Sequence, residues 1–132
     1  MHSWIGVALD GTLAHYEGYG DGKTIGEPIP QMLERVMSWL AENKKVKIFT
    51  ARVAYRNEEQ RTLIKAWCLK HIGQELEVTC MKDQGMRELW DDRAVSVEKN
   101  TGKAVTLNKL YDERKSYRRT RRPNDDDSWA RP

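Results

Sequence analysis

The sequence predicts a three-layer α/β fold, a mostly parallel sheet with helices on both faces, and three observations carry that expectation. Short apolar runs of strand length alternate with longer segments whose apolar residues recur at helical spacing. The first run, Ile5-Gly6-Val7-Ala8-Leu9, is apolar at consecutive positions, as in a strand buried on both faces. The runs end on polar residues, at Asp10, Thr50, Lys82 and Asp91-Asp92. In parallel sheets ligands gather beyond the carboxyl ends of the strands, so four strand ends would deliver polar groups to one edge.

Each element follows from its residues. Asp10-Gly11-Thr12 breaks the first strand, and residues 14–30 hold four Gly and two Pro, which forbids a long regular element and predicts a loop or small β-flap. Met32, Leu33, Val36, Met37 and Leu40 predict an amphipathic helix over 30–43, with Pro30 in its first turn. Val46 to Phe49 is a second strand ending at Thr50. Asn57 suits the cap of a helix whose apolar face is Leu63, Ile64, Trp67, Cys68 and His71, and Gly73 ends it. Leu76 to Met81 and Glu88 to Trp90 read as the third and fourth strands, and Ala94 to Val97 as a further short one. Trp4, Trp67 and Trp90 read as core residues.

Composition narrows the function classes. A chain of 132 residues suits one compact domain. Its Cys68 and Cys80 have neither metal-type pairing nor a disulfide framework, which predicts reduced thiols in a cytoplasmic protein. The apolar run from Trp4 to Leu9 is too short for a signal peptide or a membrane span, so no membrane partner is expected. The net charge of +3 is modest, but Arg114 to Arg122 holds six Lys or Arg, and Asp125-Asp126-Asp127 follows. The basic residues around Tyr117 could follow nucleic-acid phosphates; a solvated tail is the favoured reading. Residues 1–107 are expected to form the main domain and 108–132 an extension, basic then acidic, partly helical or disordered.

The run Ala8-Leu9-Asp10-Gly11-Thr12-Leu13 resembles the first motif of the haloacid dehalogenase-like superfamily, Asp-x-Asp-Gly-Thr-[Leu/Val], everywhere but its first position. Ile48-Phe49-Thr50-Ala51-Arg52 resembles the second motif, Lys82 the third, and Leu89-Trp90-Asp91-Asp92 the fourth. The resemblance spans residues 4 to about 107 and looks most like small members from phages and bacteria. It implies a Rossmann-like core. The intervals between motifs are too short for a cap domain, so the implied class is capless with an open site.

The resemblance also implies a chemistry, hydrolysis of phosphomonoesters with Mg²⁺. A phosphomonoester is highly anionic, so its hydrolysis needs charge neutralisation and in-line positioning. The first motif carboxylate would attack phosphorus, and Asp10 would serve as general acid and then base. Thr50 would bond a phosphoryl oxygen, and Lys82 would neutralise charge. Gly11, Thr12, Ala51 and Arg52 would line the phosphate site. Asp91, Asp92 and the Asp10 carbonyl would hold Mg²⁺. Ala8 departs from the pattern, because a methyl group can neither attack phosphorus nor bind a metal. With the other motif positions intact, a change confined to position 8, of the sort made to trap a ligand, is favoured over gradual decay.

Taken singly, the same residues have plainer readings: Thr50 a satisfied strand-end hydroxyl, Lys82 a solvated cation, Asp91-Asp92 a turn cap. Arg52 and Arg56 could reach substrate or pair with surface acids, and His15, Tyr16 and Tyr19 could stack on a base or simply pack. The expected ligand is a phosphorylated small molecule, foremost a nucleotide. Two rival readings remain, a non-catalytic nucleotide-binding sponge and a phosphatase that processes nucleic-acid ends. Monomer and homo-oligomer are both compatible with an open site.

Overall fold

In the computed structural model, which describes residues 3–18 and 20–105, the first apolar run forms the central strand β1, Trp4–Ala8. It is followed by helix α1 (Pro30–Ala41), strand β2 (Lys45–Phe49), a kinked 3₁₀ segment (Ala51–Arg56), helix α2 (Glu58–Ile72), β3 (Glu77–Thr79) and β4 (Met86–Trp90). The four strands form one sheet in the order β3-β2-β1-β4, and every pairing is parallel. The fold is thus α/β on an all-parallel sheet.

Helix α2 begins and ends where its residues dictate. The Asn57 side chain accepts the backbone N–H of Gln60, and Gly73 takes the left-handed conformation at the other end. Pro30 opens α1, whose Met32 and Val36 are buried; Met37, assigned to the apolar face from its spacing, lies on the exposed side. The third strand is shorter than the expected Leu76 to Met81. The expected strand at 94–97 is reduced to a single antiparallel bridge, Val97 to Ala104, flanked by backbone bonds of 2.7 Å from Glu98 to Lys103 and from Val105 to Ser96.

The connections β1–α1–β2 and β2–α2–β3 step the same way across the sheet, so right-handed crossovers put both helices on one face. The core is on that face: Ile5, Val7, Val46, Ile48 and Val78 from the sheet meet Met32 and Val36 of α1 and Ile64, Trp67, Cys68 and Ile72 of α2. Trp90 joins it against Trp39, ring centroids 5.2 Å apart. The expectation of helices on both faces is met on one face among the described residues. Across the other, the chain returns from β3 to β4 without a helix. There Trp4, 2% exposed, donates its indole N–H to Asp83 at 2.8 Å. The Lys47 ammonium lies 4.4 Å from the Trp4 ring centroid, 2.9 Å from Glu77 and 3.9 Å from Asp83. The Lys47 hydrogen bond holds the Glu77 carboxyl below its usual value, and the Trp4 hydrogen bond does the same for Asp83.

Contacts divide the chain into Met1–Asp92 and Arg93–Pro132. The boundary expected at 107/108, the extension expected over 108–132 and the basic run Arg114 to Arg122 all lie outside the described residues. No helix among the described residues is long and apolar enough to cross a membrane. Both cysteines are free, Cys68 buried and Cys80 exposed.

Candidate functional site

At the carboxyl end of β1 the chain turns back on itself. The backbone N–H groups of Leu13 and Ala14 donate to the Leu9 carbonyl at 3.0 and 2.8 Å, and that of Gly11 donates to the Ala14 carbonyl at 2.8 Å. Leu13 and Ala14 are fully buried, which anchors the turn and leaves Asp10 at its half-buried crest. Gly11 has φ +88°, and a Cβ there would lie 2.7 Å from Asp92 Oδ2. The left-handed backbone favours glycine here, and its missing side chain leaves room for the Asp92 carboxylate close against the turn. Thr12 and Asp92 bond reciprocally: the Thr12 hydroxyl donates to Asp92 Oδ1 at 2.9 Å and accepts the Asp92 backbone N–H at 3.0 Å. The ends of β1 and β4 are thereby joined through the first and fourth motifs.

At the end of β2, Thr50 is buried and its hydroxyl accepts the backbone N–H of Arg52 at 3.1 Å, capping the 3₁₀ segment. The Arg52 guanidinium forms a two-bond pair with Asp10, Nε to Oδ2 at 2.7 Å and Nη2 to Oδ1 at 2.9 Å. It also donates to the carbonyls of Thr24 (2.8 Å) and Lys23 (3.4 Å) and to the Gln60 side-chain oxygen at 3.2 Å. Beyond it the chain strains: Tyr55 and Arg56 both take left-handed backbone, φ 60° and 58°, with the Tyr55 ring fully exposed. Such conformations are rare for bulky residues, and two in succession must be held from either side. Val53, buried in the core, and Asn57, capping α2, supply those anchors.

The Gly-rich stretch is a flap fixed by its main chain. Gln60 Nε2 donates to the Gly22 carbonyl, Arg52 to those of Lys23 and Thr24, and the Trp67 indole to that of Gly26 at 2.9 Å. Asp21 closes the tip by accepting the backbone N–H groups of Lys23 and Thr24 and the Thr24 hydroxyl. The Thr24 hydroxyl is the largest reason its carboxyl is lowered to about 2. In the flap, His15 pairs with Glu17 at 3.0 Å, and both His15 and Tyr16 are exposed. Tyr19 lies outside the described residues.

Of the residues singled out from the sequence, Asp10, Gly11, Thr12, Arg52 and Asp92 are brought together by direct contacts, and Thr50 is tied to Arg52 through its backbone. Ala8 closes β1 two residues before Asp10, Ala51 is exposed next to Arg52, and Asp91 is half-buried at the end of β4. Lys82 is exposed in the turn after β3 and makes no hydrogen bond or ion pair with Asp10, Thr50 or Asp92 among the described residues. Gln60 was not anticipated, although its place four residues before Ile64, on the buried stripe of α2, is a legible signal: a polar residue there must find buried partners.

For a hard cation the donors at this edge are of the right kind, the carboxylates of Asp91 and Asp92 and the main-chain oxygen of Asp10. The set is short of one carboxylate, since position 8 is Ala, and no group of three or more His, Cys, Asp or Glu residues converges to hold a metal among the described residues. A cavity of about 620 Å³, lined by Ser3, Trp4, Lys44, Lys45, Arg87 and Glu88 among others, is at the opposite, amino edge of β1 and β4, away from this constellation.

No protein-family model matches the chain, and no curated protein matches it. Among solved structures, a conserved protein of Bacteroides thetaiotaomicron is similar at 20% identity, over 88% of this chain and 92% of that one, with a TM-score of 0.48.

Proposed function

We propose that the chain is built as a Mg²⁺-dependent phosphomonoester hydrolase of the haloacid dehalogenase-like type, acting on a nucleotide or related phosphate through an aspartyl-phosphate, and that Ala8 leaves this chain without its nucleophile. One observation carries the reading: Asp10, Thr12, Arg52 and Asp92 interlock on loops beyond the carboxyl ends of β1, β2 and β4. Strand β1 is also where the order reverses, with β2 and β3 on one side and β4 on the other, which is where parallel sheets bind ligands.

Each group has work that fits its position. An aspartate at position 8 would attack phosphorus from the end of β1. Asp10, oriented by Arg52, would protonate the leaving oxygen and then take a proton from water. The Thr50 hydroxyl accepts from Arg52, so its own proton remains to be donated to a phosphoryl oxygen. Lys82, on the turn after β3, would offset phosphate charge. Asp91, Asp92 and the Asp10 carbonyl would hold Mg²⁺, which when bound neutralises charge on the phosphate.

A second reading, a phosphate-binding protein that does not turn over, is favoured by Ala8 itself. Phosphate release from nucleotides and phosphorylated oligonucleotides, measured with Mg²⁺ for this chain and for Ala8→Asp, separates the two. Turnover only by Ala8→Asp is the expected result. No turnover by either protein, alongside tight nucleotide binding by this chain, would refute the hydrolase and leave the binding protein. Selective activity on oligonucleotide ends would point to the end-processing reading.

A further inference from the structure

The geometry points to Arg52 as the positioning residue of this site, which holds Asp10 and the flap in one register, and not as a ligand of the substrate's phosphate. The kinetic part of this inference rests on the hydrolase reading; the structural part does not. A guanidinium has five N–H groups, and Arg52 has five acceptor contacts for them: both Asp10 oxygens, the Thr24 and Lys23 carbonyls and the Gln60 amide oxygen. A phosphate could recruit Arg52 only by displacing one of these.

The acceptors belong to three parts of the chain, the β1 turn, the flap and α2, and two further bonds brace the joint. Gln60, which accepts from Arg52, is itself buried and donates to the Gly22 carbonyl, and Trp67 holds Gly26. The backbone at 52 cannot slide, since the Arg52 N–H is held by Thr50 and Val53 is buried in the core. The side chain of Asp10 and the main chain at Lys23 and Thr24, the middle of the flap wall, therefore share one planar group. Lysine cannot replace it, because a single ammonium cannot span acceptors on three segments.

The test compares Arg52→Lys and Gln60→Leu in the Ala8→Asp protein, using p-nitrophenyl phosphate with Mg²⁺ and the amide hydrogen exchange of residues 22–26. The expected result for Arg52→Lys is a kcat per folded molecule about a hundredfold lower, with KM within about threefold and faster flap exchange. Gln60→Leu should also quicken flap exchange, with a smaller loss of kcat. A KM raised about tenfold or more with kcat kept would make Arg52 a substrate ligand and overturn the inference. Unchanged flap exchange in both variants would overturn it as well. If Ala8→Asp proves inactive, the hydrolase reading falls, and the exchange measurement, made equally on the Ala8 protein, still decides whether Arg52 is the joint.

Discussion

Lys47→Met tests what secures the sheet face on which the described residues place no helix. Lys47 is 9% exposed, so its aliphatic stem is packed, and methionine keeps most of that packing. The change removes an ammonium 4.4 Å from the Trp4 ring centroid, worth about 1 kcal/mol at a partly desolvated site. It also removes the 2.9 Å pair with Glu77, whose side chain is 49% exposed; such a pair adds less than about 1 kcal/mol. Glu77 and Asp83 remain in contact with water, so no acid is left buried and unpaired, and the total loss should be about 1–2 kcal/mol. The pH dependence has a definite sign. Both carboxyls titrate below their ordinary values in the folded protein. Their contribution is present above the unfolded values, 4.5 for Glu77 and 3.8 for Asp83, and is lost as pH falls through the folded ones. Urea unfolding at neutral pH and in acid should therefore show the Lys47→Met deficit shrinking as pH falls, towards what the Trp4 contact alone supplies. A deficit equal at both pH values, or a variant more stable than the parent at neutral pH, would refute the reasoning.

Other outcomes follow from single contacts. Gly11→Ala must place a side chain at φ +88° and 2.7 Å from Asp92 Oδ2; it should cost roughly 1–2 kcal/mol from the backbone alone and abolish phosphate release in the Ala8→Asp protein, as unfolding and activity assays can check. Tyr55→Gly relieves a left-handed bulky residue whose ring is fully exposed, so it should stabilise the protein by about 1 kcal/mol in urea, and a destabilised variant would show that the ring has a partner. Burial pushes the Cys68 thiol up to about 11, so a disulfide reagent at pH 8 should titrate Cys80 promptly and Cys68 only after unfolding; two fast thiols in the native protein would contradict the packing of α2.

The parts of the fold that residue identity controls locally were legible. Asn57 and Gly73 delimit α2 because one caps with its own side chain and the other tolerates a left-handed backbone. Continuous apolar runs located the strands because both faces of β1 are buried, Trp4 on one and Ile5 and Val7 on the other. What sequence could not reveal is set by backbone atoms and long-range geometry. The flap is secured through carbonyls at 22, 23, 24 and 26, and a carbonyl is the same in every residue. Spacing alone put Met37 with the core, since five apolar residues cannot all face inward on a twelve-residue helix that packs one narrow stripe. Within the candidate site, the motif residues Asp10, Gly11, Thr12 and Asp92 could be named from the sequence, whereas the pairing of Arg52 with Asp10 joins residues 42 positions apart, a separation that no local pattern spans.

Anchoring the flap to α2 by its carbonyls frees that attachment from the flap's own side chains, while Asp21 shapes the tip with its carboxylate. The donors, Arg52, Gln60 and Trp67, all belong to the short stretch from the 3₁₀ segment into α2, while residues 23 and 24 offer only main-chain oxygens to them. Substitutions at such flap positions leave the anchoring bonds in place. The exposed side chains of the loop can therefore vary while α2 stays constant, without a new way of holding the loop to the helix.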